Sequence, residues 1–154
     1  MKRVAVIGAG TMGNGIAQVF AHHGSQVRLV DVSAEALDRG LAAIRGSLAR
    51  MVKKGTLKQD EADAAVQRIG VGTSVDEAAG ADLVIEAASE NPALKFSLFQ
   101  KLDAVAPADA ILATNTSSIS ITEIAARTRR PGQVIGMHFM NPVPVMQLDR
   151  KSVV

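Results

Sequence analysis

Val4-Ala5-Val6-Ile7-Gly8-Ala9-Gly10-Thr11-Met12-Gly13-Asn14-Gly15-Ile16-Ala17-Gln18-Val19-Phe20 runs from an apolar strand, through glycines spaced G-x-G-x-x-G, into a helix-patterned segment. The spacing fits the pyrophosphate turn of a dinucleotide-binding βαβ unit. Gly8 permits a tight turn, Gly10 lets the backbone approach a phosphate, and Gly13 lets the helix pack closely on the strand. Free N–H groups in the first helical turn, at Thr11 and Met12, then face the anion. A second apolar strand, Val27-Arg28-Leu29-Val30, ends at Asp31, close to the spacing at which a carboxylate meets the adenosine ribose hydroxyls. Asp31 would repel a 2′-phosphate, so NAD is expected over NADP; a plain strand-end turn is the alternative reading. Arg28 sits inside the strand, not after it, where an NADP-binding arginine would lie.

Composition narrows the function classes. The chain has 154 residues, a formal charge of +2, 47% hydrophobic and 21% charged residues, which suits one soluble globular domain. Its basic residues are scattered, which argues against nucleic acid as the main partner. With no cysteine, disulfides, thiolate catalysis and thiolate metal sites are excluded, and no metal site is expected. Trp and Tyr are absent and Phe numbers only 4, so the core must be aliphatic. No apolar run approaches a membrane span and no signal segment precedes the first strand, so a cytoplasmic location without membrane partners is expected.

Strand and helix patterns alternate along the chain. Ser33 is a plausible N-cap for a helix to about Lys54, with Leu37, Leu41, Ile44, Leu48 and Met51 on one face. Gly55 ends it, and Thr56-Leu57-Lys58-Gln59 reads as a capping box for the next helix. Ile69–Gly72, Leu83–Glu86, Ile111–Ala113 and Val134–Met137 read as further strands. Asn91-Pro92 opens a helix to about Val105, and Ser120-Ile121-Thr122-Glu123 caps a short one. Continuous apolar strands between amphipathic helices imply a mainly parallel sheet covered on both faces, an α/β doubly wound (Rossmann) fold. Ligands of such sheets lie at the strand carboxyl ends, where Asp31, Glu86 to Glu90, Thr114 to Ser118 and His138 to Asn141 fall. His138 at a strand end is a candidate general base, since imidazole titrates near the working pH. His22 and His23 read instead as residues ending the first helix.

The segments Glu90-Asn91, Asn115-Thr116-Ser117-Ser118 and Gly136-Met137-His138-Phe139-Met140-Asn141-Pro142 together resemble the L-3-hydroxyacyl-CoA dehydrogenase family, including the bacterial 3-hydroxybutyryl-CoA dehydrogenases. The resemblance covers residues 1 to about 148. It implies NAD-dependent oxidation of an (S)-3-hydroxyacyl-CoA to the 3-oxoacyl-CoA, and the reverse. It further implies that His138 exchanges the alcohol proton, that Ser117 hydrogen-bonds the substrate oxygen near the nicotinamide, and that Asn141 positions the reacting groups. Ser117 and Asn115 could equally stabilise their own loop. Glu90 and Lys95 match positions contacting the cofactor, against the plainer reading of an exposed helix-start acid and a solvated lysine. Ser47 and Lys54 match positions contacting the coenzyme A portion, against a helix C-terminus that simply favours lysine.

The sequence leaves the family pattern at its end. The family continues after Gln147-Leu148 with Val-Glu-Val, whose glutamate orients the histidine; here Leu148 is followed by Asp149-Arg150-Lys151-Ser152-Val153-Val154, with Arg150 where the acid is expected. A one-residue offset on a strand would turn Asp149 to the other face. The family's C-terminal helical domain, which closes over the acyl-CoA and forms a homodimer, is not present. The expected organisation is therefore an NAD-binding domain over 1–148 and an aberrant or truncated end over 149–154, from a truncation, a frameshift or an isolated cofactor domain. Two alternatives stay open: an NAD-binding module without useful catalysis, and a dehydrogenase of another β-hydroxy acid.

Overall fold

The computed structural model describes residues 1–146 and 148 in full and the main chain of 149–152. In chain order the elements are β1 (Arg3–Ile7), α1 (Thr11–His22), β2 (Gln26–Val30), α2 (Ala34–Lys53), α3 (Gln59–Gln67), β3 (Ile69–Gly72), a 3-10 segment (Val75–Gly80), β4 (Leu83–Glu86), α4 (Pro92–Val105), β5 (Ile111–Thr114), α5 (Ile121–Ala125), a 3-10 turn (Pro131–Gln133), β6 (Val134–His138) and β7 (Asp149–Ser152). No helix among the described residues is long and apolar enough to cross a membrane.

The strands form one sheet in the order β3-β2-β1-β4-β5-β6-β7. The first six are parallel, and β7 returns antiparallel along β6. The chain winds outward from β1 through β2 to β3, then crosses to β4 and winds the other way. Right-handed crossovers therefore place α1, α2 and α3 on one face and α4 and α5 on the other. Between β1 and β4 the direction of winding reverses, which opens a crevice at the strand carboxyl ends.

Alternation along each strand explains why the sequence shows continuous apolar runs. Val4 and Val6 of β1 join Ile16, Leu29, Ile44, Leu48 and Ile85 on the α1 side. Ala5 and Ile7 join Val84, Phe99, Leu102, Leu112 and Ile124 on the α4 side. A strand covered on both faces needs apolar residues at every position.

Local signals fix most element ends. Ser33, Asn91 and Ser120 accept backbone N–H groups from Ala36, Leu94 and Glu123, as N-caps. Gly55 ends α2 with φ +75°. The cap of α3 differs from expectation: Glu61, not Gln59, reaches back, accepting the Lys58 N–H at 3.0 Å, while the Thr56 hydroxyl donates to the Met51 carbonyl of α2. Thr56 thus closes the preceding helix, and α3 starts two residues late. The buried face of α2 is Leu37, Gly40, Ile44 and Leu48, with Leu41 half-buried at its edge. Gly40 takes the inward place because a Cβ there would already meet the Ala9 carbonyl at 3.0 Å.

The departure from the family pattern after residue 148 does not prevent pairing. The main chain of β7 sets Asp149 opposite His138 and Arg150 opposite Met137. Gln147, Val153 and Val154 lie outside the described residues.

Candidate functional site

The glycine turn leaves β1 at the crevice. Gly8 has φ +106°, and its N–H donates to the Val30 carbonyl at 2.7 Å, tying the turn to β2. A Cβ on Gly13 would lie 1.7 Å from the Gly8 carbonyl oxygen, so only glycine lets α1 start so close to the strand. A Cβ on Gly10 would meet nothing within 4 Å. Gly10 is therefore not required by the protein's own packing, and its bare backbone faces open space at the start of α1. Thr11 is exposed beside it and Met12 is half-buried. That open cradle at a helix N-terminus suits a pyrophosphate.

Asp31 is bonded to both sides of the turn. Its Oδ2 accepts the Ala9 N–H at 2.9 Å and its Oδ1 accepts the Ser33 N–H at 3.0 Å. The carboxylate thus serves the strand-end turn and remains half-exposed to the crevice. Around it lies a cleft of 580 Å³ lined by Gly8, Gly10, Asp31, Val32, Leu94 and Leu98 among others. The size and largely apolar wall suit an adenosine moiety, with a carboxylate at ribose height.

The ends of β4 and β5 carry a polar network. Glu86 lies opposite Ile7 and Thr114 in the sheet register. Its Oε1 accepts Lys95 Nζ at 2.6 Å and the Ala88 N–H at 2.7 Å, and its Oε2 accepts the Thr114 hydroxyl at 2.7 Å. Lys95 is 1% exposed and lies 3.3 Å from Glu90 Oε1. Glu90 Oε2 accepts the Thr116 and Ser118 hydroxyls, each at 2.7 Å. Partial burial works to raise the Glu90 carboxyl, but the two hydroxyls and then the Lys95 ammonium outweigh it and hold it below its ordinary value. Lys95 is therefore not a solvated lysine, and Glu90 is an anchored carboxylate, not a free helix-start acid.

Ser117 is exposed at the tip of this loop, between the two hydroxyls that grip Glu90. Asn115 bonds outside its own loop: its Oδ1 accepts the Phe139 N–H at 2.8 Å, joining the loop after β5 to the end of β6 beside His138. His138 is half-buried and Asn141 exposed. The chain beyond them folds back on α1, where Phe139 meets Phe20 edge-on at 6.4 Å and Val143 covers Gly15. Gly8 to Gly13, Asp31, Glu90, Lys95, Ser117, His138 and Asn141 thus share the carboxyl edge of one sheet.

Ser47 and Lys54 lie apart from that cluster. From the Ser33 cap at the strand ends, Ser47 is about 21 Å and Lys54 about 31 Å along the α2 axis. His22 ends α1, and His23 lies at its C-cap with Nδ1 2.8 Å from the Val19 carbonyl.

Strand polarity places Glu86 and Thr114 at the ligand-binding edge but gives neither a role; the structure shows Thr114 bonded to Glu86, and Glu86 anchoring Lys95. A signal existed for Lys95: it stands one and two helical turns before Phe99 and Leu102, the buried row of α4, so its ammonium had to find a buried acid.

The family described as 3-hydroxyacyl-CoA dehydrogenase, NAD binding domain, matches residues 3–149. The chain is 51% identical over 148 residues to a probable 3-hydroxybutyryl-CoA dehydrogenase of Bacillus subtilis (strain 168), covering 96% of this chain and 52% of that one. It is 50% identical over 148 residues to a 3-hydroxyadipyl-CoA dehydrogenase of Escherichia coli (strain K12), covering 96% and 31%. The crystal structure of (S)-3-hydroxybutyryl-CoA dehydrogenase from Ralstonia eutropha superposes with a TM-score of 0.94 at 46% identity, covering 97% of this chain and 53% of that one. The chain spans about half the length of several of the relatives it matches.

Proposed function

The chain belongs to the 3-hydroxyacyl-CoA dehydrogenase family through its NAD-binding domain, and from that membership and the site's geometry we propose that it is the cofactor half of an NAD-dependent (S)-3-hydroxyacyl-CoA dehydrogenase, with 3-hydroxybutyryl-CoA as its substrate. The single observation that carries this reading is the bare Gly10 cradle beside the half-exposed Asp31 carboxylate at the mouth of the apolar cleft. The cleft would take the adenosine with Asp31 to hold its ribose, and the N–H groups at Thr11 and Met12 would hold the pyrophosphate. A dinucleotide so placed would extend toward β4, β5 and β6, where Glu90 would meet its far ribose side; Lys95, buried and engaged with Glu86 and Glu90, would act on the cofactor only by holding Glu90 in place.

Bound NAD⁺ supplies the hydride acceptor. His138 takes the hydroxyl proton as the alcohol is oxidised and returns it in the reverse direction. Ser117 donates a hydrogen bond to the substrate oxygen, and Asn141 orients the reacting groups. Ser47 and Lys54, remote along α2 and about two helical turns apart, would meet the coenzyme A portion. An acyl-CoA is thus the small-molecule partner, and a homodimer is the assembly proposed for a full-length family member.

The fluorescence of NADH itself gives the binding test, since the chain has no Trp. Saturable binding, displaced by NAD⁺ and ADP-ribose but poorly by NADP⁺, is expected. Replacing Asp31→Ala should weaken NADH and narrow the gap to NADPH by about tenfold, because it removes both the ribose contact and the repulsion of a 2′-phosphate. Absence of a saturable signal with the wild-type chain overturns the reading. A second reading, cofactor binding without useful turnover, is favoured by Arg150 standing where the family has the acid that orients the histidine. Steady-state oxidation of 3-hydroxybutyryl-CoA by this chain separates the two.

A further inference from the structure

Three charged groups are joined in series at the carboxyl edge of the sheet: Glu86 at the end of β4, Lys95 and Glu90. Glu86 is fully buried, and every partner of its oxygens is a donor. The Thr114 hydroxyl donates to Glu86 while its own oxygen accepts the Thr116 N–H at 3.2 Å. Donors alone complement a carboxylate, not a carboxylic acid. Lys95 Nζ has three N–H bonds and three acceptors: Glu86 Oε1 at 2.6 Å, the Ala88 carbonyl at 3.3 Å and Glu90 Oε1 at 3.3 Å. That is the pattern of a saturated ammonium. Two carboxylates and one ammonium leave one net negative charge, held in place by the burial of Glu86 and Lys95 and by the Thr116 and Ser118 hydroxyls on Glu90.

The position of that charge follows from the topology. Asp31 would fix the adenosine end of a dinucleotide at β2, and the glycine turn would carry its pyrophosphate over β1. The nicotinamide end would then lie over β4 to β6, on the side of Glu90. The oxidised nicotinamide ring carries a positive charge and the reduced ring carries none. A fixed negative charge nearby stabilises the first relative to the second.

Resting on the reading that NAD occupies this crevice, we propose that the Glu86–Lys95–Glu90 triad sets the balance between oxidised and reduced cofactor at the site, and that buried Glu86, touching neither cofactor nor substrate, pairs with the Lys95 ammonium at 2.6 Å and so leaves the triad with the net negative charge that Glu90 presents. By linkage, a site that prefers NAD⁺ makes bound NADH a stronger hydride donor. Glu86 is thus a positioning residue with an electrostatic effect: it fixes Lys95, and Lys95 fixes Glu90.

The test is the ratio of dissociation constants, Kd(NADH)/Kd(NAD⁺), with NADH read by its fluorescence and NAD⁺ by displacement. Glu86→Gln and Glu90→Gln each remove one negative charge, and the ratio should fall about three- to tenfold in both. Thr114→Val breaks one hydrogen bond to Glu86 without changing charge, so both constants should move together and the ratio should stay within about twofold. A role confined to structure would weaken both forms of the cofactor equally in every variant. The proposal is overturned by an unchanged ratio in Glu90→Gln, or by an equal shift of the ratio in Thr114→Val. Glu90 is 47% exposed, so its variant folds even where Glu86→Gln does not, and the comparison with Thr114→Val then decides alone. A wild-type chain that binds neither form overturns the cofactor reading itself; binding with an unmoved ratio overturns only this inference.

Discussion

Gly10 and Gly13 belong to one motif, yet a side chain at each should fail in a different way. At Gly13 the added Cβ would sit 1.7 Å from the Gly8 carbonyl oxygen, a backbone atom that cannot move without opening the turn. Gly13→Ala should therefore cost about 3 kcal/mol or more of stability, seen as a lowered urea midpoint, and NADH binding should go with it. At Gly10 the Cβ meets nothing within 4 Å and the backbone is extended, at φ −67°. Gly10→Ala should keep the urea midpoint almost unchanged, within about 0.5 kcal/mol, while weakening NADH at least about tenfold, because the methyl fills the approach of the phosphate. Equal loss of stability in the two variants would show that both glycines serve packing alone.

At the scale of elements, α4 shows how far the sequence could be read. Asn91 and Pro92 announced its start, and its end at Val105 was legible too, because caps are local. Its buried row was not legible in full: Lys95, Phe99, Leu102 and Asp103 all face inward, two of them charged. Lys95 faces Glu86 at the end of β4, and Asp103 faces Arg130, which precedes β6; both partners are fixed only once the sheet order is known. The strand ends holding Asp31, Ser117 and His138 were legible for the opposite reason, since strand polarity alone places them on one edge. The α3 cap was missed because Thr56 bonds backward to α2, a choice between neighbours that spacing does not reveal. The apolar part of the α4 row carries its own expectation. Phe99 is fully buried against Val84 and Leu112 of the sheet, among other residues, so Phe99→Ala should cost about 3–5 kcal/mol and lower Tm by roughly 10 °C in a thermal melt. A loss below about 1 kcal/mol would mean that α4 can collapse onto the sheet without its aromatic.

For the whole molecule, acid stability joins three distant places. Asp82 binds the first strand at its amino end, where the Arg3 N–H at 2.9 Å, then the Arg3 guanidinium and the Lys2 N–H, hold its carboxyl below the ordinary value. Glu90 is held down at the opposite edge by Thr116, Ser118 and Lys95. Asp103 lies between α4 and the approach to β6. Burial works to raise its carboxyl, but the Arg129 N–H at 2.9 Å, then the Arg130 and Arg129 guanidinium groups, prevail and lower it. A carboxyl depressed in the folded state contributes stability that is complete above its ordinary value and is lost as pH falls through the folded value. Asp103 is the informative member, because it is 7% exposed and its partners tie two elements together. Asp103→Asn removes the charge while keeping an acceptor, and at pH 7 should cost about 1–3 kcal/mol. The difference in urea stability between wild type and variant should stay constant from about pH 7 to pH 5, then shrink as pH falls below the ordinary carboxylate value of 3.8. Taking the difference cancels every other titrating group, including the histidines, so the window belongs to Asp103. A difference that holds its size down to about pH 3 would mean that Asp103 stabilises the α4–β6 junction by shape and hydrogen bonding, with no contribution from its charge.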